Sequence, residues 1–565
     1  MRSINLAVLV KLLLFCPLAV AEPVDMALPG RPSKDLPTLP EFAPSSNQPG
    51  FSLPPAPRLV APEQRQPTNV RILLRALAFE GNTVFNDAQL QAIAKPYLNR
   101  PVSLTDLEAL RLAFTQHYIN NGYINSGAVL PEQTFSKGVI RFKIIEGVLS
   151  TIQVSGTERL DSGYVSSRLR LGAQSPLNFQ KLQERFQMLL SDPLIERMNG
   201  QLLPGQQPGE SVFDVKVVRK RPYQVNLAFD NHRPPSVGAE QGILSGWLRN
   251  VTGWGDEIVW DVIYSEGSLS GGGGLSLPLT AYDTRFAFDF NLSRTTALEQ
   301  FADENIKSRY NGYNFALSQP LYQSLQHRLG FTSTLSIRHN QMFLGGTGFA
   351  FSDGDDENGR SQSTAVRNAL DYSYQDDRQA LALRSTLSVG INALGATWWS
   401  NKRSDGDFVS WLNQVQYVRQ VLDNGSQLLF NSAVQCSNDR LLPLERFALG
   451  GFNSVRGYRE NELVRDEGYS LSLEFRYPLF NNTIYGFPGK LTVATFMDYG
   501  AAWDHQGDGK SPRTLHSLGT GLIWNPLRQV QAEIYYAHAL NASATDKGNN
   551  LQDKGIHFSV NISAF

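Results

Sequence analysis

Few cysteines and histidines occur in this chain, and their scarcity excludes several kinds of site. The 565 residues include only two cysteines, Cys16 and Cys436. If Cys16 leaves with an N-terminal leader, Cys436 alone can form neither an intrachain disulfide nor a cysteine-based zinc site. The 8 histidines show no His-Glu-x-x-His spacing, and the hydrolase pattern Gly-x-Ser-x-Gly is absent. We therefore predict no catalytic residues, no metal and no cofactor.

The chain also lacks a basic excess and, beyond its first residues, any long apolar run. Its formal net charge is −1, which argues against nucleic acid as a partner because nucleic-acid-binding surfaces are clearly basic. After Ala21 no stretch approaches the roughly 20 apolar residues of a spanning helix. A closed β-barrel is the other architecture that pairs every backbone group in lipid. Any membrane insertion would therefore use strands.

The first 21 residues predict export from the cytoplasm. Met1-Arg2 gives a short positive start, and the segment from Ile4 to Leu18 is mostly apolar. Ala19-Val20-Ala21 has the small-x-small pattern of a cleavage site, which indicates a secretory signal peptide over residues 1–21. An uncleaved anchor is the weaker alternative, because the apolar run is shorter than a bilayer requires.

Proline dominates residues 22–70. This segment holds 12 prolines in 49 positions and little apolar periodicity. Such a composition predicts an extended linker, and Pro29, Pro32, Pro37 and Pro40 would break any helix of useful length.

Two similar segments follow, over residues 71–147 and 148–221. The patterns in each predict the order strand, helix, helix, strand, strand, and so two small α+β domains. Thr105 with Glu108 suggests a capping box in the first segment, and Asn178 suggests an N-cap in the second. The apolar helix stripes are Leu107, Leu110, Phe114 and Tyr118 in the first segment, and Phe179, Leu182, Phe186 and Leu189 in the second.

From residue 222 to residue 565 the hydrophobic period is two. Phe286, Phe288 and Phe290 alternate with small or polar residues, as strand side chains on opposite faces do. A soluble β-sandwich would alternate as well, but the signal peptide, the aromatic faces and the long polar loops predicted at 352–362 and 541–554 favour an all-β transmembrane barrel. At roughly 20 residues per strand and connection, this region predicts about 16 antiparallel strands around an aqueous channel.

Two short motifs within the barrel region stand out. Their residues are Val455, Arg456, Gly457, Tyr458, Phe496, Asp498 and Gly500. Strand parity places Asp498 on the less apolar face, which in a membrane barrel is the lumen, because a carboxylate facing lipid would cost several kcal/mol. A glycine-rich loop carrying Arg456 and a strand carrying Asp498 predict a loop tip held on the barrel wall by one ion pair.

Both motifs resemble the signatures of the Omp85 superfamily. The two small domains resemble POTRA domains, and the chain as a whole resembles the two-partner secretion transporters that export haemolysins and filamentous haemagglutinins. The resemblance implies that the loop folds inward, that Arg456 pairs with Asp498, and that Tyr458 packs with Phe496. In that family a short N-terminal helix can plug the barrel, but the proline-rich linker argues against one, although residues 45–57 could cross the lumen in extended form.

The same resemblance implies a function and a location. The domains would lie in the periplasm and the barrel in the lipid of the bacterial outer membrane, with a secreted exoprotein as the client. The final strand ends at Phe565, a terminal aromatic of the kind that the outer-membrane assembly machinery recognises. An outer-membrane assembly factor that inserts barrels is the alternative, since it shares both motifs but usually carries more POTRA copies.

Overall fold

A computed structural model of the chain describes residues 37–40, 42, 71–134, 138–399, 404–480, 489–505, 513–543 and 548–564. The predicted signal peptide, residues 45–57 and Phe565 lie outside the described residues. Two compact units are formed. Of the described residues, one unit comprises those within 223–249 and 256–564 together with 37–40 and 42, and the other comprises those within 71–222 and 250–255.

The first repeat packs helices on a three-stranded sheet. Its elements are β1 (Ile72–Leu74), β2 (Ala76–Glu80), α1 (Asp87–Ala94), a 3-10 turn (Lys95–Tyr97), β3 (Arg100–Val102), α2 (Leu104–Asn120), β4 (Gly127–Val129) and β5 (Val139–Ile145). The sheet has the order β2-β5-β4, and β1 pairs separately with β3. The predicted stripe of α2 is buried in the core of this repeat.

The capping box predicted for α2 is wrong in position. Ser103 is the N-cap, in extended conformation, and Asp106 is its partner. The Ser103 hydroxyl accepts the Asp106 N–H at 3.2 Å, and the Asp106 carboxylate accepts the Ser103 N–H at 2.8 Å. Thr105 already lies within the helix, where its side chain cannot occupy the cap position.

Glu146 ties the end of the first repeat to the turn before α1. Its carboxylate accepts the backbone N–H of Thr83 at 2.7 Å, the N–H of Val84 at 2.8 Å and the hydroxyl of Tyr118 at 2.8 Å. Burial by itself raises the pKa of the Glu146 carboxyl, but these hydrogen bonds outweigh burial and hold its pKa below the ordinary value.

The second repeat has the predicted order of elements. They are β6 (Val148–Ser155), α3 (Ser162–Arg170), α4 (Phe179–Leu190), β7 (Ile195–Pro204) and β8 (Glu210–Arg219), with sheet order β6-β8-β7. Asn178 is the N-cap of α4 as predicted, and its side chain accepts the N–H groups of Gln180 and Lys181 at 3.0 and 3.3 Å. All four residues of the predicted stripe of α4 are buried, and Leu182, Phe186 and Leu189 belong to the core formed with the sheet.

Sixteen strands of the described chain close into an antiparallel barrel. The strands of this barrel wall are β9 (Tyr223–Asp230), β10 (Gln241–Arg249), β11 (Glu257–Ser265), β12 (Ser268–Pro278), β13 (Arg285–Thr296), β14 (Ile306–Gln323), β15 (His327–Leu344), β17 (Arg360–Gln375), β18 (Gln379–Gly390), β19 (Val409–Gln420), β20 (Gln427–Ser437), β23 (Glu467–Phe480), β24 (Lys490–Trp503), β25 (Arg513–Leu527), β26 (Val530–Ala539) and β27 (Ile556–Ser563). The short β16 (Thr347–Gly348) pairs only with the end of β15. The remaining strands, β21 (Phe447–Leu449) and β22 (Leu463–Arg465), form a hairpin between β20 and β23. Three further 3-10 turns lie at Pro235–Val237, Glu299–Phe301 and Gln552–Lys554. Pairing of β9 with β27 closes the ring, so the fold class and strand number predicted from the sequence are confirmed.

The long connections of the barrel all lie at one end. They span residues 345–359, 391–408, 438–466 and 540–555, whereas connections such as 324–326, 376–378 and 421–426 at the other end are short. Since β9 follows the repeats, the long connections mark the extracellular end. The outer loop predicted at 352–362 ends earlier than expected, because Arg360 already pairs with Gln341 in the wall. No helix among the described residues is long and apolar enough to cross a membrane.

Candidate functional site: a loop seated in the barrel

The connection between β20 and β23, residues 438–466, is called the inward loop here. Its hairpin, β21 with β22, is buried at all six positions, and it lies against β23 and β24. A side chain on Gly500 of β24 would approach Leu449 of the hairpin to 2.6 Å, and one on Gly468 of β23 would approach Phe447 to 2.6 Å. These two wall glycines therefore allow the hairpin to pack closely against the inside of the barrel.

The exposure pattern of β24 shows which side chains face inward. Ala494, Phe496 and Asp498 are buried, with Asp498 completely so, whereas Met497 between them is 54 % exposed. The predicted parity of this strand is correct. Asp498 thus presents its carboxylate to the lumen, where the inward loop can reach it.

Arg456 meets the wall through a dense set of hydrogen bonds. Its Nε and Nη2 donate to the two carboxylate oxygens of Asp498 at 2.8 and 2.9 Å, and its backbone N–H donates to the same carboxylate at 3.0 Å. Nη1 donates to Glu474 of β23, and Nη2 also donates to Ser472 at 3.1 Å. The Arg456 side chain is only 6 % exposed. The guanidinium therefore spans β23 and β24, and the two-oxygen fork on Asp498 fixes its orientation.

Phe496 lies beneath the guanidinium. The Arg456 Cζ is 3.4 Å from the centroid of the Phe496 ring, a cation–π contact, and Tyr535 of β26 packs edge-on against that ring at 5.8 Å between centroids. Gly519 and Gly521 of β25 provide the room, because a side chain at either would overlap these rings. The guanidinium of the ion pair therefore packs on the ring of Phe496, which is itself supported by the ring of Tyr535.

The expectation that Tyr458 packs with Phe496 is wrong. Tyr458 belongs to an apolar cluster with Val455, Leu449 and Phe447, and Phe496 belongs to a different cluster with Tyr535. Gly457 separates Arg456 from Tyr458 with a φ of +89°, a left-handed conformation that turns the chain between the two side chains.

Tyr458 and Gly457 make separate attachments to the wall. The Tyr458 hydroxyl lies 3.1 Å from the carbonyl oxygens of His516 and Asn541. The Gly457 N–H donates to Nε2 of His557, a buried residue of β27, at 3.0 Å. A side chain on Gly457 would approach Ala537 to 3.0 Å, so a glycine is needed here for both its conformation and its small size.

Sequence reasoning brought together Arg456 and Asp498 but missed Glu474, Tyr535 and His557. Apolar and polar residues alternate along β23, and Glu474 is one of the polar positions, which face inward. This alternation could have identified Glu474 as a lumenal carboxylate. Its place beside Arg456 follows from the register that sets Glu474 opposite Phe496 and Ser472 opposite Asp498. That register is not visible in either strand alone.

The described residues contain no group of three or more His, Cys, Asp or Glu side chains placed to hold a metal ion. The chemistry of this site is that of a contact between a loop and a wall. Opposite charges are withdrawn from water and saturated with hydrogen bonds, which favours one seated position of the loop.

Comparison with known proteins identifies the family. The model for haemolysin secretion/activation proteins of the ShlB/FhaC/HecB type matches residues 209–523, and the model for the ShlB-type POTRA domain matches residues 72–147. The outer membrane transporter CdiB of Dickeya dadantii (strain 3937) is 24% identical over 463 residues, which cover 80% of this chain and 79% of the relative.

Solved structures show the same fold. CdiB from Escherichia coli superposes with a TM-score of 0.67 at 21% identity, covering 89% of this chain and 93% of that structure. BamA from Haemophilus ducreyi lacking POTRA domains 1–3 is more distant, with a TM-score of 0.52 at 12% identity, covering 87% of this chain and 100% of that structure. The suspected resemblance and the outer-membrane location with periplasmic repeats are thus confirmed. The chain belongs to the ShlB/FhaC/HecB family of haemolysin secretion/activation proteins, the two-partner secretion transporters of the outer membrane.

Proposed function

We propose that this transporter captures an unfolded, β-rich exoprotein in the periplasm and conducts it through its barrel to the cell surface without enzymatic chemistry. We assign residues 71–147 and 148–221 to client capture, residues 222–565 to conduction, and the inward loop to gating. The observation that carries the proposal is the buried attachment of Arg456 to Asp498 and Glu474, which holds a loop inside the channel that the client must use.

An ionic attachment suits a gate better than an apolar one does. Removing one partner of a buried pair costs about 3 to 5 kcal/mol, because the other charge is left buried and unpaired. Release of the intact pair instead returns both charges to water and recovers their desolvation penalty, so the pair can fix the seated position and still let the loop go. Because no nucleotide and no proton gradient is available at the outer membrane, we infer that folding of the client outside the cell provides the direction of transport.

Client capture is assigned to the edge of the second sheet. β6 is an edge strand of eight residues, and beside it Leu149, Ile152 and Ala173 line a small groove with Arg170 of α3. An extended segment can add to such an edge through main-chain hydrogen bonds and place alternate side chains in the groove.

The barrel surface supports insertion into lipid. Large apolar side chains on the outer face of the wall are exposed, among them Phe290, Leu292 and Ile534 at 37, 41 and 50 %. An aromatic and aliphatic outer band is what a hydrocarbon environment requires. We propose lipid as the environment of this face.

A barrel-assembly factor is the second candidate, because the fold is also that of BamA. The match to the ShlB-type family over residues 209–523 favours secretion. Deleting residues 148–221 distinguishes the two functions. We expect loss of the secreted exoprotein from the medium, with normal heat-modifiable migration of the barrel and normal amounts of other outer-membrane barrels. Depletion of those barrels with normal secretion would contradict the proposal and support assembly.

Photocrosslinking tests the capture edge directly. A photoreactive amino acid at Gln153, exposed on β6, should crosslink to a client arrested during export. The matched control is Gln201, exposed on β7 at the opposite edge of the same sheet. Equal crosslinking at both positions, or at neither, would refute the assignment to β6.

A further inference from the structure

A second buried ionic contact joins the inward loop to the barrel wall, with its charges reversed. Here the loop supplies the anion, Glu445, whose side chain is 0 % exposed. The wall supplies two cations, Arg367 of β17 and Arg338 of β15, each with a side chain 10 % exposed. This cluster of Glu445, Arg367 and Arg338 is called the second anchor, and the Arg456 contact the first anchor.

The hydrogen bonds of the second anchor are as close as those of the first. Arg367 Nη2 donates to both Glu445 carboxylate oxygens at 2.7 and 2.8 Å, and the Ser363 hydroxyl donates to one of them at 2.7 Å. Arg338 Nη1 lies 3.7 Å from the same carboxylate and donates to the carbonyl oxygen of Leu444 at 3.2 Å. Both wall arginines therefore converge on one turn of the loop.

The two anchors lie on opposite sides of the point where the loop leaves the wall. The loop emerges between β20 and β23. The first anchor uses β23 and β24, next to that point, whereas β18 and β19 separate the second anchor on β17 from β20. The inward loop is thus attached to two different arcs of the barrel at once.

We propose that Glu445 is a positioning residue for the gate and holds the loop across the lumen independently of Arg456. This inference rests on the proposed gating function of the loop. Release of the first anchor alone frees the tip of the loop while Glu445 keeps its base on β15 and β17. Full opening of the channel requires both anchors to separate.

The charges of the second anchor make the proposal specific. One carboxylate faces two guanidinium groups, so neutralising Glu445 leaves two buried like charges close together, which is more costly than an unpaired group. Neutralising Arg338 leaves the pair of Glu445 with Arg367 intact. Glu445→Gln should therefore release the loop far more than Arg338→Gln does.

The test measures the position of the loop directly in the full-length protein. Spin labels are placed at Arg440, exposed at the base of the loop close to Glu445, and at Asp423, exposed on a short turn, after Cys16→Ser and Cys436→Ser remove both thiols. Glu445→Gln should raise the unseated fraction of the distance distribution at least roughly tenfold. The matched control is Arg384→Gln, which removes a wall cation that pairs with Asp371 within the barrel.

Two further variants keep the test decisive if Glu445→Gln assembles poorly. The exchange Glu445→Arg with Arg367→Glu preserves the charges and should restore part of the seated population, and Glu445→Gln with Arg456→Ala should release the loop more than either change alone. A wild-type distance distribution for Glu445→Gln in a heat-modifiable barrel would overturn the second anchor. Loop release without any change in secretion or channel conductance would leave the anchor standing and refute gating.

Discussion

Replacing Arg456 by alanine removes four side-chain hydrogen bonds from one buried site. Two of them go to Asp498, one to Glu474 and one to Ser472, while the backbone N–H bond to Asp498 remains. Glu474 keeps a cation, because Nε of Arg476 lies 2.6 Å from its other oxygen. Asp498, completely buried, is the group left without a charged partner.

Loss of one partner from a buried pair costs about 3 to 5 kcal/mol. At 1.36 kcal/mol per tenfold change, the ratio of seated to released loop should fall by a factor on the order of a hundred to several thousand. Arg456→Lys should fall between wild type and Arg456→Ala, because a lysine keeps the charge but cannot make the fork on Asp498 or the planar contact with Phe496.

Single-channel recording and secretion assays measure the consequence. We expect Arg456→Ala to give frequent, noisy openings and reduced export of the client, with normal heat-modifiable migration. Exchanging the pair, Arg456→Asp with Asp498→Arg, should recover only part of the loss. The two parallel hydrogen bonds between guanidinium and carboxylate depend on where each side chain starts, and the exchanged side chains start from the opposite backbones. The reasoning fails if Arg456→Ala secretes and conducts like wild type, or if its barrel does not assemble while Arg384→Ala assembles normally.

Two further predictions concern close packing in the lumen and acid sensitivity of the first repeat. Gly500→Ala should unseat the hairpin by about 1 to 3 kcal/mol, because the added carbon would lie 2.6 Å from Leu449 and 2.8 Å from the backbone oxygen of Tyr469. Channel noise should rise, and Leu449→Ala should relieve only the part that comes from the side-chain overlap. Gly242→Ala, whose added carbon meets nothing within 4 Å, should have no effect. Glu146→Gln should destabilise the first repeat by about 2 kcal/mol, since it weakens hydrogen bonds to a charged carboxylate. Because the pKa of Glu146 is lowered in the folded protein, its contribution is complete above the ordinary value of 4.5 and disappears as the pH falls through the lowered pKa. The backbone amides of residues 83–84 should therefore exchange hydrogen faster in the variant than in wild type at pH 7, and at the same rate in strong acid. A difference in exchange rate that persists in acid would refute this role.

Local patterns in the sequence predicted most of the elements and the direction in which their side chains point, but not the separate pair β1 with β3 or the hairpin of β21 with β22. Period-two alternation predicted the strands and the inward parity of Asp498, and helical stripes predicted the buried faces of α2 and α4. These features depend on backbone geometry over a few residues, which is the same wherever the segment lies. The capping box of α2 was misplaced by two residues, because several neighbouring residues there can accept the same backbone groups.

Only the tertiary structure decided which distant residues meet. The register of β23 on β24 places Glu474 beside Arg456, closure of β27 on β9 places His557 within reach of Gly457, and the path of the inward loop carries Glu445 past two strands to Arg367. The alternation of side chains along a strand predicts which of them face the lumen. It predicts neither the position of a side chain along the barrel axis nor the residue that it meets on another strand or loop. Those follow from strand register and the order of strands around the ring, to which residues hundreds of positions apart contribute.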